Sequence, residues 1–122
     1  MALILLIDDS DFTRALTGLM LETAGHELME AKNGIEGLKA LTTRIPDCVI
    51  TDMLMPVMDG QKFLLALRSR NIRVPVIILT ADMQETTRDY CLELGAVEIL
   101  HKPPSPEILL SAVVKALGSK GQ

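Results

Sequence analysis

Five polar residues in this chain each follow an apolar, strand-sized run, and together they suit a chemistry that none of them has alone. Asp8 and Asp9 follow the first run, Asp52 the third, Thr80 the fourth and Lys102 the fifth. Singly, an aspartate after a strand is most simply a cap or turn residue, but three carboxylates in one cleft raise the pKa of at least one. A divalent cation removes that conflict, and Mg²⁺ prefers such oxygen ligands. The set predicts a magnesium site where Lys102 and Thr80 contact an incoming phosphoryl group.

The elements that must position these residues are five strand-like runs that alternate with five helical patterns. The predicted strands are Ala2 to Ile7, Glu27 to Ala31, Cys48 to Thr51, Val76 to Leu79 and Val97 to Leu100. The predicted helices are one that starts after a Ser10 or Asp11 cap, then Ile35 to Thr43, Gln61 to Arg70 and Met83 to Leu94, and a last one capped by Ser105. This alternation predicts an α/β fold, a doubly wound parallel sheet with helices on both faces. Ligands of such sheets bind beyond the carboxyl ends of the strands, where the five polar residues fall.

Three of the helices carry apolar stripes that we expect to face the sheet. The stripe of the first helix consists of Phe12, Ala15, Leu16, Leu19 and Thr23. The stripes of the third and last helices consist of Phe63, Leu64 and Leu67, and of Ile108, Leu109, Ala112, Val113, Ala116 and Leu117. Gly25 and Gly95 each follow a predicted helix, at the position where a residue in the left-handed backbone conformation commonly ends a helix.

Length and charge exclude several classes of function. The 122 residues suit a single domain spanning residues 1–122, and the net charge of -4 argues against a surface for nucleic acid or for an acidic membrane. The apolar start is too short to span a bilayer and lacks the basic residues of a signal peptide, so we expect a cytoplasmic protein. Cys48 and Cys91 offer neither a disulfide framework nor metal spacing, and buried free thiols are expected.

Four segments carry a resemblance to a known family. The runs ILLIDDS, VITDMLMPVMDG, VIILTA and ILHKPP resemble, in order and spacing, the signature segments of response-regulator receiver domains. The similarity covers essentially the whole chain. It implies a five-stranded, flavodoxin-like sheet of strand order 2-1-3-4-5 with five helices. It also implies a switch in two-component, phosphorelay or chemotaxis signalling, rather than an enzyme acting on a separate substrate.

The resemblance also implies a role for each polar residue. Asp52 matches the aspartate that takes a phosphoryl group from a sensor histidine kinase or a histidine phosphotransfer protein. Asp9 matches the direct Mg²⁺ ligand, Asp8 one that acts mainly through water, and the backbone carbonyl of Leu54 a further ligand. Asp52 itself contributes to the metal site.

Two other matched residues and one departure concern the switch. Thr80 matches the switch hydroxyl and Lys102 the lysine that contacts the phosphoryl group, and the resemblance makes Lys102-Pro103 a candidate for a cis peptide bond. A downstream protein is expected to bind the face formed by the fourth helix, the fifth strand and the fifth helix. Ile99 stands where the family often has the Tyr or Phe that turns inward on activation, so the usual threonine–aromatic coupling is not expected here.

Two other functions remain open from the sequence. Residues 9–13 fit the D-x-D-x-T start of haloacid-dehalogenase-type phosphatases, although only Glu107 follows Lys102 as an acidic residue. A receiver-like interaction module that is never phosphorylated is the second alternative. The chain could also be free-standing or cut from a larger regulator, and the strand that begins directly after Met1 favours a free-standing protein.

Overall fold

A computed structural model describes residues 2–55, 57–81 and 84–118, and within them five strands form one sheet in which all neighbours are parallel. The strands are β1 Leu3–Ile7, β2 Glu27–Ala31, β3 Cys48–Asp52, β4 Val76–Thr80 and β5 Glu98–His101. The helices are α1 Asp11–Thr23, α2 Gly34–Thr43, α3 Gly60–Ser69, α4 Glu85–Glu93 and α5 Pro106–Gly118. The spatial order β2-β1-β3-β4-β5 confirms the predicted fold.

The three central strands, β1, β3 and β4, are buried along their whole length because helices cover both faces of the sheet. Successive side chains of a strand point to opposite faces, so two apolar clusters form. Leu5 and Ile7 join the cluster that contains Phe63 of α3, whereas Ile4 and Leu6 join the cluster that contains buried residues of α1 and α5. This packing fixes the strand ends from which the polar residues project.

The predicted burial of the apolar stripe on α1 is wrong. Its members are exposed to solvent, namely Phe12, Ala15, Leu16, Leu19 and Thr23. The helix instead packs through Thr17, Gly18 and Leu21. A Cβ at position 18 would lie 3.0 Å from Cδ1 of Leu28, so glycine allows α1 to approach β2 closely. The side that carries Thr17, Gly18 and Leu21 is therefore the packed one, and the predicted stripe lies on the surface.

The other helices agree more closely with prediction. α3 buries Phe63, Leu64 and Leu67 as expected. In α5 the buried residues are Leu109, Ala112, Val113 and Ala116. Ile108 is exposed, contrary to prediction, because it lies in the first turn, beside the polar surface of the helix. The predicted start of the fourth helix at Met83 lies outside the described residues.

The ends of the helices follow the predicted cap chemistry. Ser10 caps α1 and Ser105 caps α5, each accepting a hydrogen bond from the backbone N–H three residues further on. Gly25 and Gly95 have φ angles of 93° and 102°, the left-handed conformation that glycine adopts freely after a helix. Both cysteines are buried free thiols, as predicted. Among the described residues, no helix has the length and apolar character needed to cross a membrane.

Candidate phosphoryl-acceptor site

The predicted carboxylates meet at the carboxyl edge of the sheet. Asp8 and Asp9 follow β1 directly, and Asp52 is the last residue of β3, the strand that pairs with β1. Each of the three residues offers a carboxylate oxygen, and these oxygens all lie within 4.8 Å of one another. Asp8 and Asp52 are buried, whereas Asp9 is exposed. The parallel strands therefore bring together three acidic groups that the sequence separates.

Lys102 forms ion pairs with two of these carboxylates. Its Nζ lies 2.9 Å from Oδ2 of Asp52 and 3.2 Å from Oδ2 of Asp8. Lys102 follows β5, and its backbone N–H donates to the carbonyl oxygen of Thr80 at the end of β4 (2.8 Å). The Lys102-Pro103 peptide bond is cis, as the resemblance implied. The ammonium group thus balances part of the negative charge of the site.

Backbone N–H groups hold the two buried carboxylates in place. Oδ1 of Asp8 accepts a hydrogen bond from the N–H of Ser10 (2.9 Å), and Oδ1 of Asp52 accepts one from the N–H of Met53 (3.1 Å). The loop after β3 returns to the strand end because the N–H of Gly60 donates to the carbonyl of Met53 (2.8 Å). Each buried carboxylate therefore uses one oxygen for its own loop and the other for Lys102.

The electrostatics of the site favour an added cation. Burial raises the pKa of Asp52, and the charges of Asp8 and Asp9 raise it further, although Lys102 opposes them. Burial acts to lower the pKa of Lys102, but the hydrogen bonds and charges of Asp52 and Asp8 outweigh it and raise that pKa. The lysine is therefore charged at neutral pH and does not fully compensate the three carboxylates.

The remaining predicted residues lie around this centre. Thr80 is buried at the end of β4, on the same edge of the sheet. Leu54 lies in the loop after β3 with an exposed side chain, and the metal-ligand role of its carbonyl stays a prediction. Ile99 is buried in β5, where it pairs with Ile78 of β4, and as an aliphatic residue it brings no aromatic ring to this position.

The donor set fits Mg²⁺. The three carboxylates supply hard oxygen ligands, which suit a small hard cation that keeps several of its waters. The exposure of Asp9 leaves room on the solvent side of the cluster for such waters. When bound, Mg²⁺ would neutralise charge on the carboxylates and on a phosphoryl group.

Two contacts of this site did not follow from the sequence. The guanidinium of Arg14 donates to the carbonyl oxygen of Asp8 (2.7 Å). A Cβ at Gly60 would lie 3.0 Å from the carbonyl oxygen of Asp52. The position of Gly60 after Asp59 signals a turn in the sequence, but no sequence pattern indicated that either residue touches the site.

The response regulator receiver domain family matches residues 4–114, and the chain belongs to that family. The chain is 37% identical to the sensor histidine kinase CheAY of Helicobacter pylori, over 98% of this chain and 15% of that protein. It is 35% identical to the alkaline phosphatase synthesis transcriptional regulatory protein PhoP of Bacillus subtilis, over 93% of this chain and 47% of that protein.

Solved structures share the fold over nearly their whole length. A response regulator receiver domain protein from Clostridium thermocellum matches with a TM-score of 0.91 at 33% identity, over 98% of this chain and 97% of that chain. The chemotaxis protein CheY4 of Vibrio cholerae matches with a TM-score of 0.89 at 32% identity, over 95% of this chain and 98% of that chain. The chain spans less than half the length of the two curated relatives above. What it shares with them is a receiver domain of two-component and chemotaxis signalling proteins.

Proposed function

We propose that Asp52 accepts a phosphoryl group from the phosphohistidine of a sensor histidine kinase or histidine phosphotransfer protein, in the cytoplasm. The chain acts in this proposal as one receiver domain over residues 1–122. The observation that carries the proposal is the position of Lys102 Nζ, 2.9 Å from Asp52 and 3.2 Å from Asp8, beside a cluster of three carboxylates. Asp8, Asp9, Asp52 and the carbonyl of Leu54 would hold Mg²⁺.

The chemistry follows from the arrangement of charges. A carboxylate oxygen of Asp52 forms the new O–P bond while the P–N bond of the phosphohistidine breaks, which leaves an acyl phosphate and a free imidazole. Lys102 already contacts Asp52 and can follow the charge onto the phosphoryl oxygens, and Thr80 can donate a hydroxyl hydrogen bond. The residues of the chain therefore align and neutralise the reacting groups, and no enzymatic action on a separate substrate is proposed.

A protein donor fits the surface beside the acceptor. Phe12, Leu16 and Leu19 form an exposed apolar stripe on α1, the helix that begins two residues after Asp9. Exposed large apolar residues at helical spacing are typical of a surface that docks another protein. The stripe supports a phosphoryl donor that approaches over α1 and delivers its phosphohistidine to the carboxyl edge of the sheet.

The response to phosphorylation is proposed to reach a downstream protein through the face of α4, β5 and α5. A phosphoryl group adds roughly -1.5 to -2 charges, so Lys102 and Thr80 gain a strong new partner. Both residues adjoin β5, because Lys102 follows it and Thr80 pairs with His101 in the parallel ladder. Since Ile99 is already buried, the readout lies in the loops and helices and not in the movement of a ring.

The test is labelling with a small phosphodonor, with intact mass as the readout. We expect the chain to gain one phosphoryl group with Mg²⁺ and none with EDTA, and Asp52→Asn to gain none. Asp59→Asn is the matched control, because asparagine caps α3 as well as aspartate does. Full labelling of Asp52→Asn would contradict the site, and failure of wild type to become labelled would favour the unphosphorylated interaction module.

The phosphatase alternative finds less support in the geometry. Asp11, the second aspartate of the D-x-D-x-T pattern, lies in the first turn of α1 with a side chain that is 84% exposed and is paired with Arg14. The hydroxyl of Thr13 donates to the Ser10 side chain, within the cap of the same helix. Steady hydrolysis of a generic phosphoester would revive this alternative.

A further inference from the structure

The side chain of Asp9 differs from those of the two buried carboxylates in how it is held. Within the described parts of the chain, its side chain makes no hydrogen bond or ion pair, whereas those of Asp8 and Asp52 are each held twice. The position of its Cα, from which the carboxylate projects, depends on the peptide unit that joins Asp8 to Asp9. That unit is planar, so fixing its carbonyl oxygen also fixes the Cα of the next residue.

Arg14 is the residue that fixes this carbonyl. Its Nη1 donates to the carbonyl oxygen of Asp8 (2.7 Å), and its Nε and Nη2 are held by Glu30 of β2 (3.1 Å) and Asp11 of α1 (2.7 Å). The side chain is only 14% exposed. Three contacts from one planar group leave the guanidinium little freedom, so the carbonyl faces a fixed donor.

Neighbouring carboxylates compensate the positive charge of Arg14. The hydrogen bond with Asp11 raises the pKa of Arg14 and the bond with Glu30 adds to this, although burial acts against both. The group is therefore always a cation, yet it forms ion pairs with two carboxylates, those of Asp11 and Glu30. These carboxylates offset the repulsion between the guanidinium and a metal ion, and the hydrogen bond from the guanidinium to the carbonyl oxygen of Asp8 remains.

We infer that Arg14 is a positioning residue for the metal site, which orients Asp9 through the carbonyl oxygen of Asp8. The inference rests on the proposed Mg²⁺ site and deepens it. It differs in sign from a purely electrostatic role. Removing a nearby positive charge strengthens cation binding by Coulomb's law, whereas loss of positioning weakens it.

The test is calorimetric titration of MgCl₂ into metal-free protein. We expect Arg14→Gln to bind Mg²⁺ about tenfold more weakly than wild type, because residues that orient metal ligands typically contribute 10- to 100-fold in affinity. Arg14→Lys keeps the charge but not the three-pronged contact, and it is expected to bind at least about threefold more weakly. It also serves if the glutamine variant does not fold.

The matched control is Arg44→Gln. Arg44 pairs with Glu27 at the opposite end of β2, so this variant loses the same charge far from the site and is expected to bind Mg²⁺ as wild type does. Urea unfolding in EDTA identifies conditions in which each variant is fully folded. Affinity of Arg14→Gln or of a folded Arg14→Lys equal to or higher than that of wild type would overturn the inference. Absence of Mg²⁺ binding by wild type would overturn the proposed metal site as well.

Discussion

Lys102 and Asp52 are separated by 50 residues in the chain, yet Lys102 Nζ lies 2.9 Å from Asp52 Oδ2. The pair couples the end of β3 to the segment after β5, at the edge where Asp8 also contacts the lysine. Burial nevertheless raises the pKa of Asp52, so the ion pair does not fully offset the loss of hydration. The acceptor carboxylate is thus held in an environment that stabilises its charge incompletely.

This environment predicts that Asp52→Asn stabilises the metal-free protein at neutral pH. The pKa of Asp52 is raised in the folded state, so folding favours the neutral carboxyl group. The stabilisation that this neutral group contributes is fully present below the pKa of the unfolded state and is lost as pH rises through the pKa of the folded state. The variant should therefore exceed wild type in free energy of unfolding at pH 7, and the gap should narrow on acidification. Urea unfolding in EDTA, from pH 7 to acidic pH, measures this difference in the free energy of unfolding. A variant less stable than wild type at neutral pH would contradict the prediction.

Mg²⁺ should raise the free energy of unfolding of wild type and so remove its lower stability at neutral pH. A ligand that binds only the folded state stabilises it by about 2.7 kcal/mol at a concentration of one hundred times its Kd. We expect this gain for wild type and its loss in Asp9→Asn, which lacks one of the clustered carboxylates. Thermal unfolding with MgCl₂ against KCl of equal ionic strength is the measurement. An equal gain for both proteins would remove Asp9 from the metal site.

The apolar stripe on α1 predicts a separation between two kinds of donor. Leu16→Glu should slow phosphotransfer from a phosphohistidine protein by about tenfold, since burying a leucine contributes roughly 1.5 kcal/mol or more. Labelling by a small phosphodonor should be unchanged, because the stripe is not part of the site. Val114→Glu, on the exposed side of α5, is the control and should leave both reactions as in wild type. Equal slowing with both donors would place the effect in the acceptor site instead.

Close packing at Gly60 predicts a cost in stability. A Cβ at this position would lie 3.0 Å from the carbonyl oxygen of Asp52 and 3.1 Å from the Cα of Met53, both backbone atoms that cannot turn aside. Gly60→Ala is expected to lower the free energy of unfolding by about 1–3 kcal/mol. Gly118→Ala is the control, because a Cβ there meets no atom within 4 Å. Equal stability of Gly60→Ala and wild type would show that α3 can shift without loss.

The sequence was sufficient to predict the sheet and the meeting of its polar residues. The predicted strands are followed by Asp8, Asp52, Thr80 and Lys102, and these residues reach one edge of the sheet only if the strands are parallel. The helices that connect the strands require a parallel arrangement. The second strand is found at Glu27–Ala31, the range that the sequence predicts.

The sequence was misleading where tertiary packing selects between two faces of a helix. Apolar periodicity on α1 favoured burial of Phe12, but close approach to β2 depends on the small residue Gly18. The contact between Arg14 and Asp8 could not be predicted either, because it depends on how a long side chain is held between α1 and β2. Both features arise from the fit between elements, which a periodic pattern does not encode.

The most direct test of the central claim is to locate the phosphoryl group itself. An acyl phosphate on aspartate can be reduced by borohydride to homoserine, and peptide mass analysis then identifies the position. After reaction with a small phosphodonor and Mg²⁺, we expect homoserine at position 52 and none in the EDTA control. Homoserine at position 8 or 9 in place of 52, or equal labelling without Mg²⁺, would contradict the assignment of Asp52 as the acceptor.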